Sequence, residues 1–347
     1  MEGRLPTTVN LEGRRVLIIS PRFFGYERRI VERLEFRGAK AVLVDDRPSN
    51  GTLSKALIRM SSSLMRPRLD AYHRSVIQRL LGESFDDILF VVPESCSTAT
   101  IRRYREAFVG ARVLLYMWDS FENKTRRDVR GFLKLFDRAF SFDGVDCDKY
   151  GMSFRPLFFT ETPDPSTEEP VDTFGFSFIG TIHSDRYKIL TALKSHADKA
   201  SVRYFIYPFL PSRLHYWLYK FTKWEFRGTH QSDLRFNPLP YTEVLRVMRD
   251  SVAVVDIEHP DQRGLTMRTL EVIGAGKKLI TTNRNVLQYP FYSPERIQVI
   301  DRRDPVIASD FLKTSVESLP PHLLAKYSLD GWIDDLFGQP ALDSSQG

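Results

Sequence analysis

Between Ser251 and Asn283 the chain reads SVAVVDIEHPDQRGLTMRTLEVIGAGKKLITTN, and its polar residues collect at a single handover. Val252 to Ile257 is an apolar, largely β-branched run of the kind a strand buried on both faces requires, and it delivers Asp256, Glu258 and His259 to its end. The polar loop that follows contains Gly264, which permits a close backbone approach, and Thr266, a helix-capping residue. The predicted helix carries Arg268 and Glu271 and stops at Gly274 and Gly276. Unpaired N–H groups at such a helix start attract an anion, and a carboxylate further along can accept from hydroxyls. The same residues also read as an ordinary α/β unit, in which Arg268 and Glu271, three apart, form a surface ion pair.

Other side chains that could do chemistry sit at other strand ends. Asp119 follows a predicted strand over Val113 to Trp118 and is a candidate general base. Equally, Asp119, Ser120 or Asn123 could cap a helix starting near Lys124. Asp143 and Asp146 are weaker candidates at the next strand end. The loop Pro21 to Tyr26, PRFFGY, could line a ligand through Phe23, Phe24, Gly25 and Tyr26, or pack its rings on the sheet edge. Trp118 could stack on a ligand ring or fill the core. His183 and His259 fall in loops, where a lone histidine is more often hydrogen-bonded than catalytic. The acids at 143, 146 and 148 lie in a loop-to-helix segment, and no metal site is expected.

Alternating elements must position these groups. Arg15 to Ser20 reads as a strand, Glu27 to Arg37 as a helix and Ala41 to Asp45 as a strand ending on Asp45 and Asp46. A helical stretch over Ser54 to Leu81 should break near Pro67. Strand Ile88 to Val92, helix Thr98 to Phe108, the strand before Asp119, helix Lys124 to Phe136 and strand Ala139 to Phe142 follow. The proline-rich, acidic segment TETPDPSTEEPVDT reads as a linker. Beyond it come strand Phe174 to Ile179, helix Tyr187 to Ala197, strand Val202 to Tyr207 and helix Tyr241 to Arg249. The expectation is an α/β chain with an N-terminal domain over 1–160, a linker over 161–173 and a C-terminal domain over 174–318. A final helix over 319–338 and a disordered tail over 339–347 complete it.

At 347 residues the chain is long enough for two cores. Its composition is 42% hydrophobic and 27% charged, as in soluble globular proteins, without a membrane span or secretion signal, so the expected location is the cytoplasm. Cys96 and Cys147 are too few for a disulfide framework and read as buried thiols. The net charge of +6 favours anionic partners, but basic residues are spread along the chain, so nucleic acid is not an expected partner. Ser54 to Arg79 and Leu214 to Arg227, LHYWLYKFTKWEFR, interleave basic and apolar residues as interfacial helices do, which adds a peripheral membrane contact to the expectations. Aromatics at helical spacing also suit a core.

The order of LLYMWDS at 114–120, FSFDGVDCDKYG at 140–151, FSFIGTIHSDRYKIL at 176–190 and GLTMRTLEVIGAGKKLITTN at 264–283 resembles the CgeB-like branch of bacterial glycosyltransferases. The resemblance covers most of residues 14–335 and implies a GT-B architecture: two doubly wound Rossmann-like domains facing across a cleft, with a final helix crossing back to the first. It implies transfer of a sugar from a nucleotide-diphosphate sugar to a surface polysaccharide or lipopolysaccharide, with no cofactor and no obligatory metal. The donor would meet Gly180, Thr181, Arg186, Glu258, Gly264, Leu265, Thr266, Arg268 and Glu271, the last accepting from ribose hydroxyls. The acceptor, a glycan or lipid-linked, would meet Phe24, Gly25, Tyr26 and Trp118, with Asp119 as base. Related enzymes often carry two glutamates eight apart, whereas the position eight before Glu271 is Arg263. A sugar-contacting carboxylate must then come from Asp256, Glu258 or Asp261. A non-catalytic nucleotide-sugar or glycan-binding protein is the alternative. A receiver-like regulator built on Asp45 and Asp46 lacks the required companions.

Overall fold

A computed structural model describes residues 8–48, 62–121, 129–160 and 173–338. The chain divides into two units: Met1–Pro156 together with Leu329–Gly347, and Leu157–Ser328.

In the first unit, β1 (Arg15–Ser20), α1 (Tyr26–Phe36), β2 (Lys40–Asp45), α2 (Ser62–Leu80), β3 (Asp87–Val91) and α3 (Thr98–Ala107) alternate. They are followed by β4 (Arg112–Met117), α4 (Val129–Leu133), β5 (Arg138–Ser141), α5 (Gly144–Tyr150) and β6 (Ser153–Phe154). The strands form one parallel sheet in the order β2-β1-β3-β4-β5-β6. Leu17, Ile18, Ile19 and Ile88 to Val91 are buried on both faces, which is why these strands read as unbroken apolar runs.

Two expected helices differ. α2 runs through Pro67 without a break. Proline there forfeits one backbone hydrogen bond, and the burial of Leu69, His73, Val76 and Ile77 holds the helix regardless. α4 ends at Leu133 rather than Phe136 because its last turn tightens, with the N–H groups of Leu135 and Phe136 donating three residues back to Phe132 and Leu133. That turn brings Phe136 edge-on to Phe90 and Phe132. The stretch 54–61, the helix start near Asn123 and Lys124, most of the linker and the tail lie outside the described residues.

The second unit contains β7 (Phe174–Thr181), α6 (Arg186–Lys199), β8 (Tyr204–Phe209), α7 (Arg213–Thr222), α8 (Tyr241–Arg249), β9 (Ser251–Asp256) and α9 (Met267–Gly274). It continues with β10 (Lys278–Thr281), β11 (Ile297–Val299) and α10 (Pro321–Tyr327). Its parallel sheet has the order β11-β10-β9-β7-β8. Phe176, Phe178, Ile189, Leu193, Val255 and Ile280 make the core between this sheet and its helices.

The segment expected as one terminal helix is two. α10 stops at Ser328, whose hydroxyl donates to the Ala325 carbonyl at 2.7 Å. α11 (Leu329–Phe337) then packs in the first unit. Its fully buried Trp332 meets Tyr116 edge-on at 4.9 Å. Arg33 chelates Asp330 through Nε at 2.7 Å and Nη2, and Arg37 reaches Asp334 at 2.6 Å. Arg112 and Arg138 donate to the carbonyls of Phe337 and Gly338 at 2.7 and 2.6 Å, placing cations at the negative end of the helix.

Each sheet winds outward in both directions from its first strand. Ligands in such sheets bind outside the carboxyl ends of the strands where the winding reverses, here between β1 and β3 and between β7 and β9.

Candidate functional site

Arg186 occupies the reversal point of the second sheet. Its Nη1 donates to the carbonyl of Thr181, the last residue of β7, at 2.8 Å, and its Nε to the carbonyl of Ile257, just past β9, at 2.5 Å. The guanidinium is thus pinned by one carbonyl from each strand, and its Nη2 meets no protein acceptor among the described residues. Burial lowers its pKa, the carboxylates of Asp256 and Glu258 opposing. Gly180 adjoins it. A Cβ at Gly180 would press on the Phe178 ring at 3.0 Å, so the glycine serves packing beneath the site.

The two acids ending β9 are held internally. The buried Asp256 carboxylate accepts from the hydroxyls of Thr266 at 2.5 Å and Thr269 at 2.6 Å. Thr266 Oγ1 in turn accepts from the Thr269 N–H at 3.1 Å, so the strand end fastens the start of α9. Glu258 accepts from Thr282 Oγ1 at 2.5 Å and from Arg302 Nη2 at 2.5 Å. Arg302 also donates to Asp185 at 2.7 Å. Both acids, expected as sugar contacts, therefore already serve as structural acceptors, because a buried carboxylate must be paired. Asp261 stays exposed, 3.5 Å from His259 Nδ1.

α9 brings Glu271 inward. The side chain is only 6% exposed and pairs with Arg268 Nη1 at 2.8 Å, so the pair is not the open-surface one the spacing also allowed. Leu265 is buried in the core beneath the loop. The loop before α9 is fastened through Gly264, whose carbonyl accepts from Gln262 Nε2 at 3.0 Å and Asn283 Nδ2 at 3.2 Å, and through the Arg263 carbonyl, which accepts from Asn285 Nδ2 at 2.8 Å. The helix closes in a Schellman turn on Gly276 at φ 66°, with Lys277 N donating to Val272 O. Gly274 is a packing requirement, since a Cβ there would lie 2.4 Å from the Phe159 ring.

His183 and His259 come together with ring centroids 5.4 Å apart. Burial, then the charges of Arg186, His259, Lys223 and Arg302, push the His183 imidazole down to about 3, leaving it neutral at physiological pH. The neighbouring Ser184 has a left-handed backbone, φ 45°, and its hydroxyl lies 3.0 Å from His183 Nδ1. Non-glycine strain of this kind clusters at ligand sites.

At the carboxyl edge of the first sheet, Phe23 packs its ring 5.2 Å from Trp118 and 6.2 Å from Tyr26, while Glu27 accepts from Phe23 N at 3.0 Å and shapes the turn. Phe24 projects into solvent with a left-handed backbone, φ 51°, followed by Gly25 at φ 84°. Three rings thus pack on the sheet edge, and the fourth stands clear of it. Asp119 follows β4 in a half-buried bend. Asp143 caps α5 by accepting from Val145 N at 2.9 Å, and buried Asp146 accepts from Phe121 N at 2.8 Å, so these two acids are structural.

A cluster absent from the sequence reading lies at the ends of β2 and β3. Asp46, His73 and Cys96 are buried with ligand atoms all within 4.8 Å, an arrangement able to hold a metal ion. Those atoms also form a hydrogen-bonded chain. Tyr104 OH lies 3.1 Å from His73 Nδ1, Ser95 Oγ lies 2.7 Å from His73 Nε2, and Asp46 accepts from Ser95 N at 2.9 Å and Cys96 Sγ at 3.5 Å. Burial pushes Asp46 up to about 6 against the pull of Ser95 and Arg47, and burial pushes His73 down to about 4.

Gly180, Thr181, Arg186, Glu258, Gly264, Leu265, Thr266, Arg268 and Glu271 all lie at or just beyond the strand ends of one sheet. Phe24, Gly25, Tyr26, Trp118 and Asp119 lie at the strand ends of the other. Sequence reasoning missed Arg302, Thr282, Asn283 and Asn285. Only Asn283, ending the segment read first, carried a local signal as a cap residue.

No protein-family model and no curated protein sequence matches the chain. Solved structures share its fold. Among them are an alpha-glucosyltransferase in complex with UDP and a 13-mer DNA, at 15% identity and TM-score 0.55, covering 93% of this chain and 92% of that one. Sucrose-phosphate synthase from Thermosynechococcus elongatus matches at 11% identity and TM-score 0.56, covering 93% and 98%. Anabaena Alr3699/HepE in complex with UDP and glucose matches at 10% identity and TM-score 0.55, covering 94% and 99%. The fold is that of the GT-B glycosyltransferases, with two Rossmann-like parallel sheets flanked by helices. At these identities the likeness speaks for the fold alone.

Proposed function

We propose that the protein is a cytoplasmic glycosyltransferase of the CgeB-like kind, moving a sugar from a nucleotide-diphosphate sugar to a cell-surface glycan or glycolipid without a metal. The observation that carries this reading is Arg186, a guanidinium fixed between the ends of β7 and β9, whose Nη2 meets no protein acceptor among the described residues. A planar, already oriented donor at a sheet reversal suits a diphosphate, and in transfer it stabilises the charge on that leaving group. Glu271 on α9 accepts from the ribose hydroxyls, and the start of α9 faces the phosphates. Asp119 takes the acceptor hydroxyl proton as the sugar C1 bond to phosphate breaks and the bond to the acceptor oxygen forms.

Screening the protein against nucleoside diphosphates and their sugars tests this reading, because a ligand that binds the folded state raises Tm. A rise with one nucleotide class, lost in Arg186→Ala, is the expected result. No response to any of them would refute the proposal.

A second reading has one observation behind it. Asp256 and Glu258 are both occupied by internal donors, and position 263 is arginine, so the described strand-end acids offer few carboxylates to a donor sugar. A non-catalytic nucleotide-sugar or glycan-binding protein would need none. Labelled donor that binds but is neither transferred nor hydrolysed would favour it.

A further inference from the structure

α7 is apolar on two opposite faces. Ser212 caps it, accepting from His215 N at 3.2 Å. The inner face is anchored: buried Tyr216 donates to the Thr229 carbonyl at 3.2 Å, and Tyr219 meets the buried Phe226 ring at 5.0 Å. Lys220 Nζ ties the helix to the turn after it through the carbonyls of Arg227 at 2.5 Å and Thr229 at 2.7 Å. The outer face should then be polar. Instead it presents Leu214, Trp217, Leu218 and Phe221, at the i, i+3, i+4, i+7 spacing of one stripe, with Trp224 beyond, all between 49% and 80% exposed. Trp217 and Phe221 are already stacked, centroids 6.0 Å apart. Scattered exposed apolar residues need no explanation, but a contiguous stripe backed by a fully anchored helix does.

Charge identifies the occupant. The exposed residues Arg213, Lys223 and Arg227 flank the stripe in sequence, with Glu225 the sole acid of this stretch. Tryptophan, phenylalanine and leucine on one side with lysine and arginine at the rim is the chemistry of a headgroup boundary.

We propose that the outer face of α7 docks the protein on an anionic phospholipid bilayer, with Leu214, Trp217, Leu218, Phe221 and Trp224 entering the headgroup–acyl boundary and the basic rim meeting lipid phosphates. Ten residues at 1.5 Å each lie flat and do not span, and among the described residues no helix is long and apolar enough to cross a membrane. The docking rests on residues separate from the proposed transfer site, and lipid binding is measured without any sugar donor.

The test is co-sedimentation of the full chain with vesicles of phosphatidylglycerol and phosphatidylethanolamine in equal parts, against vesicles of phosphatidylcholine alone. The expected result is binding to the anionic vesicles, weakened by salt, with a blue shift of tryptophan emission. The double variant Trp217→Ser, Phe221→Ser should lose at least tenfold in binding while keeping its Tm, because both side chains are exposed. Lys223→Glu with Arg227→Glu should abolish the preference for anionic lipid. Absence of binding by the unsubstituted protein, or undiminished binding by the Trp217→Ser, Phe221→Ser variant, overturns the proposal. So does a lipid-free dimer that this variant converts to monomer, since the stripe would then join two copies of the chain.

Discussion

Arg302 holds Glu258 at two points, donating to its carboxylate at 2.5 Å and to its backbone carbonyl at 2.7 Å. The carboxylate is buried, so Arg302→Met would strand a charge and should cost about 3 kcal/mol, read as a Tm lowered by several degrees. Adding Glu258→Gln removes the stranded charge and should recover part of the loss. A double variant no more stable than Arg302→Met would show that this ion pair is not what secures the loop.

Glu271→Gln keeps the shape of the side chain but removes its charge. Affinity for the nucleoside diphosphate should fall at least tenfold by calorimetry, about 1.4 kcal/mol, and Tm of the free protein should fall as well, because Arg268 loses its charged partner. Equal affinity in the variant would remove Glu271 from the ribose assignment.

For Asp119 the expected signature is kinetic. Asp119→Asn should lower kcat by roughly 10²- to 10⁴-fold while leaving donor affinity intact, the usual range for losing a general base. A loss of donor affinity or of folding would instead make the residue structural.

The buried pair Asp46 and His73 predicts opposing pH effects. Asp46, raised to about 6, contributes stability that is complete near pH 4 and lost as pH climbs to 6. His73, lowered to about 4, contributes stability that is complete above about pH 6.5 and lost as pH falls to 4. Between those limits the two slopes cancel. His73→Gln should therefore make stability fall with rising pH, and Asp46→Asn should make it fall with decreasing pH, each by roughly 3 kcal/mol relative to the unsubstituted protein. Denaturant midpoints at several pH values read both, and parallel profiles for all three proteins would contradict the assigned directions.

β1 and α8 are legible in the sequence to their terminal residues, because a doubly buried strand and a strongly one-sided helix write their periods plainly. Glu271 is legible as a candidate from the strand–loop–helix pattern that carries it, and Arg186 through the family resemblance. Their surroundings are not. Arg302 lies 44 residues from Glu258 and 117 from Asp185, and nothing local marks it as their shared partner. His73 reads as one more polar residue in a helical stretch, and its meeting with Ser95 depends on how α2 packs against the end of β3. For α7 the pattern reveals two apolar faces, but only packing decides which of them the core takes.

Because α11 fills the first unit with Trp332, that unit stays incomplete until Leu329–Phe337 has been synthesised. During translation the surface around Tyr116 must wait, uncovered, while the entire second unit emerges and folds. Early folding of the first sheet is therefore provisional, and truncation before Leu329 should yield an aggregation-prone first half rather than a smaller stable domain.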